Sequence, residues 1–203
     1  MPKQSKITIL ILAAGSSSIM GSPKQLLKWK NSNLLNHTIS RGIELNVKEI
    51  IVVLGANTDM IMPEIDHKEV KIIINQNWEN GLGSSISAGV NHILQSNSSI
   101  DCLLIMLSDQ PLIAYDHYLK LIKAFSFGIK AIVATKYPDD KLGVPALIDK
   151  YYFKYLSDLN SDSGAKQLFI KYSKNVQSVK NLNAVFDLDT LEQYEDLYNV
   201  NHP

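Results

Sequence analysis

Four groups of residues carry the chemistry this chain can offer. The first is Gly15-x5-Gly21-Ser22-Pro23-Lys24, a Gly/Ser loop running from an apolar stretch to a lysine. A loop this bare offers successive backbone N–H groups, hydroxyls at Ser16, Ser17 and Ser18, and one ammonium, a set that suits a polyphosphate. Its spacing matches neither G-x4-G-K-[ST] nor G-x-G-x-x-G. Pro23 fixes the turn ahead of Lys24 and with it the lysine's direction. The second is Asp109, which follows apolar residues and precedes Gln110-Pro111. A carboxylate there can hold Mg²⁺ beside a phosphate, or cap the next helix. The third is FDLDT, 186–190, where Asp187 and Asp189 share one face of an expected strand. A cation between them would relieve their repulsion; equally, Asp189 could cap the following helix. The fourth is the segment from Asn75 to Ser85, in which Gly81, Gly83 and the Ser84-Ser85 pair let the backbone approach a base or ribose, or form a loop with a serine N-cap.

These residues act together only if the fold brings them to one place. Continuous β-rich runs at 7–12, 49–55, 70–75, 102–107 and 130–135 read as strands, the first buried on both faces. Helical spacing marks Leu34 to Leu45, with Asn31, Ser32 or Asn33 as its cap, then Asn57 to Ile65, Ser84 to Leu94 and Tyr115 to Phe125. A further helix is expected directly after Pro23-Lys24. Beyond residue 136 the pattern loosens. YPDDKLGVPALI suggests a hairpin or crossover piece with an antiparallel strand. KYYFKYLSDL and Gly164 to Tyr172 read as helices, Ala184 to Leu188 as a last strand, and Thr190 to Tyr198 as a closing helix. Strands alternating with helices imply a mostly parallel sheet covered on both faces, an α/β fold of three layers. Ligands then bind beyond the carboxyl ends of the strands, where Gly15–Lys24, Asn75–Ser85 and Asp109 all fall.

The chain has 203 residues, enough for a substantial core. With no repeat, low-complexity run or linker, residues 1–203 read as one domain. Twenty Lys and Arg balance twenty Asp and Glu, so net charge is zero. That argues against nucleic acid, whose phosphates call for an excess of Lys and Arg. The apolar run at 7–14 is too short for a membrane span and no signal pattern precedes it, which makes the expected location cytoplasmic. One cysteine, Cys102, excludes an internal disulfide and reads as a buried thiol. The five histidines are scattered, without metal-ligand spacing. Tyr151-Tyr152-Phe153 and Tyr155 read as helix packing, with a partner surface as the alternative.

Leu12 to Lys24, LAAGSSSIMGSPK, resembles the signature LAAGxSxRMGxPK of the molybdenum cofactor cytidylyltransferase group, within the MobA-like nucleotidyltransferases. The resemblance continues in order through VVLGAN (52–57), NQNWENGLGSSISAG (75–89), LSDQPL (107–112), SDSGAKQLF (161–169) and FDLDTLEQYEDL (186–197). It implies a Rossmann-like, GT-A-type fold. It also implies transfer of CMP from CTP to the terminal phosphate of a molybdopterin-type cofactor, with release of pyrophosphate. On that reading Leu12, Ala13, Ala14, Gly15 and Ser16 hold the nucleotide, and Lys24 neutralises charge growing on the phosphate as the catalytic residue. Gly81, Ser84 and Ser85 lie near base and ribose. Mg²⁺ is held by Asp109 with Asp187 or Asp189, and a molybdenum hydroxylase is the implied recipient of the product. Three positions depart from the pattern: Ile19 stands where the family has arginine, Gly143-Val144-Pro145 where it often has GHP, and DTLEQ where it has DTPED. An arginine can grip a triphosphate bidentately, and isoleucine has no donor. Two alternatives therefore stay open: a nucleotide- or cofactor-binding homologue with impaired turnover, and a nucleotidyltransferase for another phosphate substrate.

Overall fold

The computed structural model describes residues 6–19, 21–96, 99–181, 188 and 190–201, with backbone only for Ser18 and Ile19. Its strands are β1 (Ile7–Ala13), β2 (Ser18–Ile19), β3 (Ser22–Pro23), β4 (Lys28–Trp29), β5 (Ser32–Asn33), β6 (Glu49–Leu54), β7 (Lys71–Ile74), β8 (Cys102–Leu107), β9 (Ile132–Lys136), β10 (Leu142–Asp149) and β11 (Val176–Lys180). Its helices are α1 (Leu34–Glu44), α2 (Thr58–Ile61), α3 (Leu82–Gln95), α4 (Tyr115–Ala124), α5 (Phe153–Ser157), α6 (Lys166–Lys171) and α7 (Leu191–Asn201).

Among the described residues the main sheet has seven strands in the order β11-β9-β10-β8-β1-β6-β7. All neighbours are parallel except β10, which runs antiparallel to both β8 and β9. Strand β1 is buried along its whole length, as its unbroken apolar sequence requires. Its alternate residues feed opposite layers. Ile7, Ile9 and Ile11 pack with Leu35 and Ile39 of α1 and Leu121 of α4. Leu10 and Leu12 pack with Ile86 and Val90 of α3, Leu156 of α5 and Leu168 of α6. Each such aliphatic side chain contributes about 1.5–3 kcal/mol by leaving water. The expected three-layer α/β/α arrangement is therefore observed.

The strand order places the site. The chain steps from β1 to β6 and β7 on one side, then to β8 on the other, so direction reverses between β1 and β8. The crevice at such a reversal is where α/β sheets bind ligands. Register puts Leu12 beside both Val53 and Leu107, so the loops after β1 and β8 leave the sheet side by side.

Several expectations are corrected. No α-helix follows Pro23-Lys24: a single 3-10 turn spans Lys24–Leu26, and the chain then forms the β4–β5 hairpin. There Leu27 and Trp29 bury against Leu34, Leu188 and Leu197, a long-range contact that no local pattern announces. KYYFKYLSDL splits into a 3-10 turn at Lys150–Tyr152 and the short α5. Strand β11 was not expected, because VQSVK is a half-exposed edge without an apolar run. The strand expected at Ala184 to Leu188 lies outside the described residues apart from Leu188. Asn33 is the cap of α1, its side chain accepting from the Asn36 N–H at 2.8 Å. Cys102 is fully buried, and burial pushes its thiol pKa up. Tyr152 and Phe153 pack in the core while Tyr151 is half exposed. No helix among the described residues is long and apolar enough to cross a membrane.

Candidate active site

The loop after β1 is shaped by a residue that the sequence did not single out. Gln25 is 5% exposed, and its Nε2 donates to the carbonyls of Ala13 and Gly15, both at 2.9 Å. In a trans peptide the N–H points opposite to its own C=O. Fixing those two carbonyls therefore turns the N–H groups of Ala14 and Ser16 away from the glutamine. The Leu12 carbonyl accepts from Ser108 N–H at 3.3 Å, the Ala14 carbonyl from Ala56 N–H at 3.0 Å, and the Ser17 carbonyl from Lys24 N–H at 3.0 Å. The strand thus runs into a loop tied to the neighbouring β6 and β8 connections. Gly55 is part of that tie: a Cβ there would sit 2.6 Å from Trp78 Cβ and 2.8 Å from the Ala14 carbonyl oxygen.

Lys24 ends this loop and turns inward. It is 7% exposed, and its Nζ lies 2.9 Å from Asp109 Oδ2. A lysine this buried is tolerated because its charge is paired. Asp109 follows β8, so the ion pair joins the two loops that leave the reversal point together. The other oxygen, Asp109 Oδ1, is buried with no hydrogen-bond partner among the described residues.

The facing wall comes from α3 and the segment before α6. Gly81 has φ of +88°, a conformation that side chains rarely adopt, and a Cβ there would meet Asp162 Oδ1 at 2.0 Å. The Gly83 N–H donates to the Ser161 carbonyl at 2.8 Å. A distant polar stretch is thereby pressed against the start of α3. Between the walls lies a cavity of about 380 Å³, lined by the residues from Leu12 to Ser17, by Lys24, Gln25 and Asp109, and by Gly81, Ser85, Glu79 and Asp162 opposite.

The structure therefore brings Leu12, Ala13, Ala14, Gly15, Ser16, Lys24, Gly81, Ser85 and Asp109 into one cleft. Ser84 is turned elsewhere. Its Oγ lies 2.8 Å from both the Asn77 and Gly81 carbonyls, which share its one proton, accepts from Asn75 Nδ2 at 2.9 Å, and borders a separate polar groove. On α3 consecutive residues point about 100° apart, which is why Ser85 lines the cleft and Ser84 does not. Asp187 and Asp189 lie outside the described residues. Among the described residues no three His, Cys, Asp or Glu side chains cluster as a metal set. Ile19 has its backbone in β2, paired with Ser22, and its side chain is outside what is described. Sequence reasoning missed Gln25, Trp78, Glu79 and Asp162; the sequence signal available was that Trp78, Glu79 and Asp162 lie inside quoted segments and that Gln25 directly follows one.

A family model described as the MobA-like NTP transferase domain matches residues 9–176. The chain is 26% identical over 198 residues to the purine catabolism protein PucB of Bacillus subtilis strain 168, covering 92% of this chain and 93% of that protein. It is 22% identical over 190 residues to the molybdenum cofactor cytidylyltransferase of Escherichia coli K12, covering 94% of each. It is 30% identical over 106 residues to nicotine blue oxidoreductase of Paenarthrobacter nicotinovorans, 52% of this chain and 50% of that protein, so the match spans about half that relative's length. Among solved structures, Rv0371c of Mycobacterium tuberculosis H37Rv superposes with a TM-score of 0.81 at 23% identity, covering 96% of this chain and 98% of that one. That likeness is one of fold.

Proposed function

The chain belongs to the MobA-like NTP transferase domain family, and from that membership and the cleft's geometry we propose that it moves CMP from CTP onto the terminal phosphate of a molybdopterin-type cofactor, releasing pyrophosphate. In this reaction an oxygen of the acceptor phosphate attacks the α-phosphorus. The new P–O bond forms as the bond to the bridging α–β oxygen breaks, and that oxygen leaves with pyrophosphate. The chemistry needs positioning and charge stabilisation more than covalent participation.

The observation that carries the reading is the buried Lys24–Asp109 pair at the end of the Gly/Ser loop. The N–H groups of Ala14 and Ser16, oriented by Gln25 through the Ala13 and Gly15 carbonyls, donate to phosphate oxygens. Lys24 supplies a cation that the Asp109 carboxylate keeps aimed into the cleft, where negative charge builds on the transferring phosphate. Gly81 and Ser85 border the space for base and ribose. The donor set also fits Mg²⁺: Asp109 Oδ1 is a hard oxygen without a hydrogen-bond partner among the described residues, and Asp187 and Asp189 are the further candidates. Bound there, Mg²⁺ would offset phosphate charge. The resemblance to cytidylyltransferases favours CTP over other nucleotides.

Incubation with CTP, Mg²⁺ and a molybdopterin-type acceptor is expected to release pyrophosphate. Lys24→Met should lower kcat about 10²–10³-fold, the usual loss for one transition-state donor. No turnover with any nucleotide, or unchanged turnover in Lys24→Met, would overturn the reading. Ile19 favours a second reading, a nucleotide-binding homologue with no turnover. Binding of CTP without pyrophosphate release, and turnover gained in Ile19→Arg, would decide for it.

A further inference from the structure

Asn75 is 4% exposed and stands at the end of β7, where its backbone N–H donates to the Leu54 carbonyl at 2.7 Å. Its neighbours fix which way the side-chain amide lies. Oδ1 accepts from the Asn77 N–H at 3.0 Å, so Nδ2 is the atom that faces α3. That nitrogen donates to Ser84 Oγ at 2.9 Å and to Ser85 Oγ at 3.1 Å, one proton to each.

The two hydroxyls it meets are left in different states. The Ser84 proton is shared by the Asn77 and Gly81 carbonyls, inside the protein. The Ser85 hydroxyl donates to no atom of the described residues. The usual outlet for a helical serine is the carbonyl one turn earlier. For Ser85 that is Gly81, whose carbonyl already takes the Ser84 N–H at 3.1 Å and faces the Ser84 hydroxyl at 2.8 Å. Asn75 therefore occupies a lone pair of Ser85 Oγ, and the proton is left for the cleft that Ser85 lines. Ser85 is 3% exposed, so water does little to level that polarity.

We infer that Asn75 is a positioning residue for the nucleotide: it makes Ser85 a hydrogen-bond donor into the cleft, so the ligand atom seated there is a proton acceptor (a base carbonyl, ring nitrogen or phosphate oxygen) and not an exocyclic amine. The inference rests on the nucleotide reading of the cleft and gives that reading a polarity. An amine in that place would set donor against donor. Hydrogen bonds in series polarise one another, so the amide also strengthens the hydroxyl as a donor.

The test is a double-mutant cycle on the full chain, read by calorimetry with CTP. Ser85→Ala removes the donor and should weaken CTP by about threefold to tenfold. Asn75→Asp keeps the size and the acceptor for Asn77, but puts an oxygen where the amide protons were, which draws the Ser85 proton away from the cleft. It should weaken CTP by about tenfold or more. Added to Ser85→Ala it should weaken CTP no further, because no hydroxyl is left to turn. Losses that multiply in the double variant would mean that the new charge repels phosphate or that the loop has loosened, and they overturn the assignment. A second measurement needs neither the aspartate variant nor CTP. In amide-proton NMR spectra of the ligand-free chain, the Asn75 side-chain amide should shift in Ser85→Ala and exchange its protons faster with solvent; an unchanged amide overturns the assignment. If the amide responds in this way while CTP gives no binding heat, the nucleotide reading fails and the polarity of Ser85 stands.

Discussion

Replacing Gln25 by leucine tests whether one side chain shapes the candidate phosphate loop. Leucine has similar bulk but cannot donate to the Ala13 and Gly15 carbonyls, both bonded at 2.9 Å. The two losses are unequal. Ala13 is 2% exposed, so its carbonyl would be stranded away from water at a cost of about 1–3 kcal/mol. Gly15 is exposed, water can replace the glutamine there, and the net loss is about 0.5–1.5 kcal/mol. Against this, Gln25 Oε1 is itself buried without a hydrogen-bond partner among the described residues, and removing it offsets about 1 kcal/mol. The sum is a destabilisation of about 1–3 kcal/mol, readable as a shift in the urea midpoint at constant slope. Affinity for CTP should fall tenfold or more by calorimetry, because the N–H groups of Ala14 and Ser16 lose their fixed direction. Gln25→Glu gives the sign a second check. A carboxylate facing two carbonyls has its folded pKa raised above the unfolded value near 4.3. That variant should therefore lose stability as pH rises from the unfolded pKa through the folded one. A Gln25→Leu protein within about 0.5 kcal/mol of the original, binding CTP equally well, would refute the reasoning.

Three further outcomes are expected. Gly81→Ala should destabilise by about 1–3 kcal/mol through backbone strain alone, since φ is +88° and the new Cβ would also lie 2.8 Å from Asp162 Cα; Asp162→Ala in the same chain should not restore urea resistance. Burial holds the pKa of His117 near 4, and burial with Arg41 and Lys30 does the same for His37, so in the folded state both resist protonation. The unfolded chain binds these protons near pH 6.5, so stability should fall as pH drops from about 6.5 to 4, and His117→Gln should flatten that slope in urea titrations at stepped pH. Asn33→Ala removes the cap on the Asn36 N–H and should cost about 1 kcal/mol of stability in thermal or urea unfolding.

The layered α/β scaffold was legible in the order of residues alone. Runs such as ITILIL are apolar without alternation, and a strand of that kind is stable only when covered on both faces. That order also placed the Gly/Ser loop and Asp109 at strand ends, because where apolar runs stop is a local property. What it could not show were contacts between distant segments. Gln25 looks like any polar residue after a lysine until the chain folds back and its amide meets carbonyls 10 and 12 positions earlier. Asp162 belongs to the cleft only because a glycine at 81 leaves room for it, and Leu27 and Trp29 abandon a helix because α7 closes over them. Helical phase, not composition, separated Ser85 from Ser84. Periodicity reports what each segment must bury, while the meeting of two segments depends on the packed volume between them, and that exists only in three dimensions.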